Sequence, residues 1–118
     1  MVEPGERRKF PRLAASVDVE YNILKKKASL KQKTLSKNIS AGGICLIVYE
    51  KIEPGTELAL RFHLSDSDYN IKAKGRVVWM SPFSVGSEQQ ERYDLGIEFT
   101  QIDKQAQEKI AQYIFSLK

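Results

Sequence analysis

Two short stretches of this 118-residue chain hold residue types whose spacing could do chemistry. In the first, Arg7, Arg8, Lys9 and Arg12 place four cations in six positions, with Phe10 and Pro11 among them. A guanidinium suits phosphate because its planar fork donates parallel hydrogen bonds and keeps its proton. It also stacks on purine faces, so two arginines on one segment can grip both the phosphate and the base of a nucleotide. In the second stretch, Asn38 to Gly43 read Asn-Ile-Ser-Ala-Gly-Gly. Asn38 and Ser40 are two apart and share a sheet face opposite Ile39. An amide and a hydroxyl there can read a base edge, while Gly43 lets another group approach the backbone closely.

Other chemistries find little to work with. One histidine and one cysteine cannot complete a four-ligand zinc site, and a single cysteine forms no internal disulfide. Nucleophilic catalysis through a triad or a Cys–His pair would depend on His63 alone, which alternates onto a polar strand face. Cys45 lies in a short apolar run, where a free thiol behaves as a small hydrophobe. No apolar stretch approaches the ~20 residues of a membrane helix, and no apolar segment follows the charged N-terminus as a signal peptide requires. These features predict a cytoplasmic binding domain with no enzyme activity, metal or membrane insertion.

The elements that must position both stretches are mostly strands. Val17, Val19, Tyr21 and Ile23 alternate with polar residues, and Thr34–Ser40 resumes after a charged interruption. Gly42 and Gly43 supply freedom for a tight reversal into a third strand carrying Ile44, Leu46 and Val48. Leu58, Leu60, Phe62 and Leu64 form the apolar face of a fourth. Ile71, Ala73, Val77 and Trp79 share one face of a fifth, so Trp79 can pack in the core as readily as line a site. After a polar loop from Ser81 to Glu91, residues Tyr93, Leu95, Ile97 and Phe99 face inward on a sixth. The period then becomes helical, with Asp103 as N-cap and Ala106, Ile110, Tyr113, Ile114 and Leu117 on the apolar stripe. Six amphipathic strands and a terminal helix, without repeat or linker, predict one small antiparallel β-barrel.

Taken together, the two stretches resemble the motifs of the PilZ domain family. Arg8-Lys-Phe-Pro-Arg12 is similar to RxxxR, and Asn38-Ile-Ser-Ala-Gly-Gly43 to (D/N)xSxxG, with 26 positions from Arg12 to Asn38. The likeness continues through Gly96-Ile-Glu-Phe99 to the C-terminal helix. The resemblance implies a six-stranded PilZ-type β-barrel with a C-terminal α-helix over residues 13–118, and a flexible arginine-rich arm over 1–12. It further implies a stand-alone bacterial receptor for cyclic di-GMP, whose arm orders over the barrel and signals to an effector protein. By that likeness Arg8 and Arg12 bind phosphates and guanine edges, Asn38 and Ser40 contact a guanine, and Gly43 holds the turn open. Arg7 corresponds to an additional contacting arginine of many members, and Trp79 to a tryptophan that lines the site in some.

Charge leaves a second reading in view. Residues 1–37 carry ten Lys and Arg against four acids, so the formal net charge of +4 becomes +6 there and −2 beyond. Such asymmetry points to an anionic partner. The lysines between Lys25 and Lys33 fit a solvated hairpin, or contact with an anionic macromolecule. A barrel binding single-stranded nucleic acid is less attractive, because the strands show no outward row of aromatics for stacking. A protein-binding adaptor of the same family, without ligand, would typically lack one or both motifs.

Overall fold

A computed structural model of the chain describes residues 16–24, 31–64, 69–83 and 91–116. Its strands are β1 (Asp18–Ile23), β2 (Gln32–Ile39), β3 (Gly43–Val48), β4 (Glu57–His63), β5 (Asn70–Phe83) and β6 (Arg92–Ile102), followed by helix α1 (Lys104–Ser116). All pairings are antiparallel, and the sheet closes on itself in the order β1-β2-β3-β6-β5-β4. The alternation read from the sequence is the cause. Val19, Tyr21, Leu58, Leu60, Phe62, Ile71, Val77, Leu95 and Ile97 all point into one core. Closure gives every strand a partner on both sides over at least part of its length, while the inward side chains fill the lumen.

Three register shifts interrupt the ladders. Lys37 is the extra residue between the pairs Ser36↔Leu46 and Asn38↔Cys45. Val78 is extra between Val77↔Ile97 and Trp79↔Gly96, and Thr100 between Lys74↔Gln101 and Gly75↔Phe99. A bulge inserts one residue into a period of two, so it changes which face later side chains take. In β2, buried Ser36 is followed by outward Lys37 and Asn38, and Ile39 returns to the core. In β5, buried Val77 is followed by exposed Val78 and by Trp79, which is 37% exposed. Trp79 therefore does not share the face of Ile71, Ala73 and Val77, as unbroken alternation predicted. The bulge at Val78 turns it outward.

Helix α1 covers the barrel with Ala106, Ile110, Tyr113 and Ile114, which are buried in the same core. Its start matches the expected cap, since Gln107 N donates to the Asp103 carbonyl. Lys109 also lies over the Tyr69 ring at 4.9 Å. Leu117, expected on the apolar stripe, falls outside the described residues. The fifth strand runs further than read from sequence, through Pro82 and Phe83, because Ser81 and Pro82 still pair with Asp94 and Tyr93.

Candidate functional site

On the outer face of β2, β3, β6 and β5, next to α1, lies a cleft of about 470 Å³. Its volume falls in the range of about 300–1,000 Å³ typical of small-molecule sites. Asn38, Ser40, Gly42, Gly43 and Cys45 line one side, Val78 and Trp79 the other, with Gly96 and Glu98 between them and Gln107 reaching in from α1. Thus Asn38, Ser40, Gly43 and Trp79, separated by up to 41 positions in sequence, border one concavity. Two of them owe their direction to bulges. Lys37 resets β2 so that Asn38 faces out, and Val78 does the same for Trp79. Arg7, Arg8 and Arg12 lie outside the described residues, as do residues 25–30, expected in a charged hairpin.

The turn from β2 into β3 is held largely by Ser40. Its amide donates to the Gly43 carbonyl at 2.9 Å. Its hydroxyl accepts from Gly42 N at 3.2 Å and Gly43 N at 3.1 Å, and donates to Gly43 O at 3.3 Å. Those contacts engage the hydroxyl's donor and both its lone pairs, and the residue is buried. Ser40 thereby shapes the rim of the cleft. Neither Gly42 nor Gly43 adopts a positive φ; among the described residues, the glycine that does so is Gly55, at 95°. Gly43 is needed for a different reason from a tight reversal. A Cβ there would meet the Ile97 carbonyl oxygen on β6 at 2.2 Å. The group that approaches its backbone in this fold is thus a neighbouring strand.

Trp79 is seated in the same way. A Cβ on Gly96 would fall 2.1 Å from the indole Nε1, so the five-membered ring rests on the bare Gly96 backbone. An aromatic ring held flat and partly exposed is a platform on which a base can stack. Gln107 ties the helix to the motif turn, its amide Nε2 donating to the Ala41 carbonyl at 3.0 Å. Among the described residues lining the cleft, Glu98 is the one charged side chain. Close by on the outer surface, Lys37 bridges across β3 to Asp94 at 2.9 Å, and that carboxylate raises the lysine's pKa by hydrogen bonding and charge.

Glu98, Gly96, Cys45 and Gln107 were not singled out as site residues from sequence. Glu98 and Gly96 carried a readable signal, because both alternate with buried Ile97. Gln107 carried none, since only the docking of α1 brings it to the turn. Among the described residues, no group of His, Cys, Asp or Glu is arranged to hold a metal ion. Among the same residues, no helix is long and apolar enough to cross a membrane.

A smaller hollow of about 260 Å³ lies over β1, β4 and β5, bordered by Glu20, Arg61, Lys72 and Lys74. It mixes charges of both signs and includes none of the motif residues.

Comparison with known proteins places the chain in a family. The family model described as PilZ domain matches residues 6–116. Among solved structures, the Bacillus subtilis inhibitor of motility (MotI/DgrA) is similar with a TM-score of 0.74 and 25% identity, covering 98% of this chain and 56% of that one. The PilZ domain of YcgR from Escherichia coli, solved with c-di-GMP, gives 0.69 and 14% over 95% of this chain and 92% of that one. The MrkH–c-di-GMP complex of K. pneumonia gives 0.71 and 19% over 95% and 52%. This chain thus spans about half the length of the MotI/DgrA and MrkH chains. A search of the curated proteins found no match.

Proposed function

The chain belongs to the PilZ domain family, and from that premise we propose that it is a receptor for cyclic di-GMP. The observation that carries the reading is the convergence of Asn38, the Ser40–Gly43 turn and Trp79 on one cleft of about 470 Å³. Its similarity to the YcgR domain and MrkH structures that contain c-di-GMP supports the choice of ligand. The ligand is a dianion carrying two guanines. The cleft offers an aromatic platform and an amide, but its described lining supplies no cation. In this reading Arg8 and Arg12, with Arg7 beside them, supply the missing positive charge from an arm over residues 1–12. Their guanidinium groups donate to phosphate oxygens and to guanine O6 and N7. Residues 13–118 provide the barrel and helix on which that arm closes. The ligand is bound and not chemically changed, and the ordered arm presents a new surface to an effector protein.

Calorimetric titration with cyclic di-GMP tests the reading, with GTP and an oligonucleotide as controls. Wild-type protein releases or absorbs heat with the dinucleotide alone. Each of Arg8→Ala and Arg12→Ala removes a charge-assisted hydrogen bond, weakening binding by roughly 10- to 150-fold. Neither changes the melting temperature of the free protein. Absence of heat from folded wild-type protein refutes the proposal. Oligonucleotide binding that survives in both variants and weakens steeply with salt would favour the nucleic-acid reading instead.

A further inference from the structure

We infer that Glu98 reads the guanine bases of the bound dinucleotide and sets a preference for guanine over adenine, an inference that rests on the cyclic di-GMP reading above. Glu98 lies on the outer face of β6, paired with Gly43 of β3 on one side and Arg76 of β5 on the other. Two residues earlier on the same face is Gly96, beneath the Trp79 indole. Across the pair to β5 stands Arg76, and on its other sides the carboxylate is bordered by a glycine of the motif turn and by the glycine under the aromatic platform. Neither glycine has a side chain to cover it. Glu98 is exposed, and among the described residues its carboxylate makes neither a hydrogen bond nor an ion pair.

A carboxylate is out of place in a site for a dianion unless it accepts hydrogen from something. It has acceptors only, and its charge repels phosphate. The donors that a cyclic dinucleotide can offer it are the ribose 2′-hydroxyls and the N–H groups of the bases, and only the bases can separate guanine from adenine. Guanine presents N1–H and N2–H side by side on its Watson–Crick edge, two parallel donors that match two carboxylate oxygens as a guanidinium fork does. Adenine presents one N6–H beside the lone pair of N1, so one carboxylate oxygen would face another acceptor. Asn38 cannot make this distinction alone. Its amide carries an acceptor and a donor, and a flip adapts it to either edge. Glu98 supplies the discrimination that the amide lacks, and does so between the turn and the stacking platform.

The test titrates wild-type protein, Glu98→Gln and Glu98→Ala with cyclic di-GMP, cyclic di-AMP and cyclic di-IMP, whose hypoxanthine keeps N1–H but lacks the N2 amine. Wild-type protein is expected to bind cyclic di-GMP most tightly, cyclic di-IMP less tightly and cyclic di-AMP least. Glu98→Ala should lose about 10- to 150-fold for cyclic di-GMP, with cyclic di-AMP unchanged or tighter. Glu98→Gln, which retains one acceptor, should fall between. If Glu98→Ala keeps the wild-type preference, or weakens all three dinucleotides by a common factor, the inference is overturned while the receptor reading stands. Wild-type protein that binds none of the three overturns the reading and this inference with it. Because Glu98 is exposed, both variants should melt as wild type does.

Discussion

Gly43→Ala separates two reasons for a glycine that would otherwise look the same. If the residue were needed only to let a ligand approach, an added methyl would weaken binding and leave the free protein intact. The strand packing requires the opposite. The new Cβ would lie 2.2 Å from the Ile97 carbonyl oxygen, whereas carbon–oxygen contacts between strands settle at about 3.3–3.6 Å. The start of β3 would have to move from β6 by roughly 1 Å. That movement strains two backbone hydrogen bonds of 2.9 Å, from Ser40 N to Gly43 O and from Phe99 N to Gly42 O. Overpacking costs about 1–3 kcal/mol, and two weakened hydrogen bonds cost about 0.5–1.5 kcal/mol each. The total of about 2–6 kcal/mol is a large share of a domain's stability of about 5–15 kcal/mol. Urea unfolding of ligand-free protein measures it directly, and the melting temperature should fall on the order of 10–20 °C. Gly55→Ala provides the control, since no atom lies within 4 Å of its Cβ and only the φ of 95° is strained. It should cost about 1–2 kcal/mol. A Gly43→Ala protein within about 0.5 kcal/mol of wild type would refute the reasoning.

Two further outcomes follow from the hydrogen bonds around the barrel. Ser40→Ala leaves the Gly42 and Gly43 amides without their acceptor and should cost about 1–3 kcal/mol in urea unfolding; an unchanged midpoint would mean that the turn does not depend on the hydroxyl. Tyr21 is buried and donates to Glu50 Oε1 at 2.8 Å, so burial first and the carboxylate second push its phenol well above 10.0. Above pH 10 the unfolded chain releases that proton while the folded chain keeps it, and stability therefore falls as pH rises. Tyr21→Phe should flatten most of this decline, leaving a residue from Tyr93, whose pKa is raised through its hydrogen bond to Glu91. Parallel alkaline limbs in the two proteins would count against the assignment.

The strand faces were legible because burial imposes a period of two, and Tyr21, Leu60, Leu95 and their neighbours obey it. The helix was legible for the matching reason, its period of 3.6. What alternation could not foresee was its own interruption. Nothing in the side chains of Lys37 or Val78 announces a bulge; both arise where neighbouring strands must stay in register around a closed circumference. Unbroken alternation therefore predicts Trp79 on the core face, whereas a single extra residue turns it outward. Ser40 and Gly43 were picked out by type, yet how each acts in the turn depends on β6 and on the backbone of residues 42 and 43. Glu98 was visible as an outward residue, but its setting between two glycines required the pairing of β3, β6 and β5. Gln107 depended on where α1 docks.

Closure of the sheet also limits how this domain can speak to another protein. An open sheet offers an unpaired strand edge, and a partner can bind by laying its own backbone alongside it. Here β1 pairs with both β2 and β4, so no strand of the described ring is left open along a whole side, and the end of β5 beyond Val77 pairs with β6 alone. Around the closed part of the ring, recognition runs through side chains and through whatever lies across the outer wall. A message carried by main-chain pairing would be generic, whereas one carried by side chains can be rewritten at single positions without disturbing the scaffold.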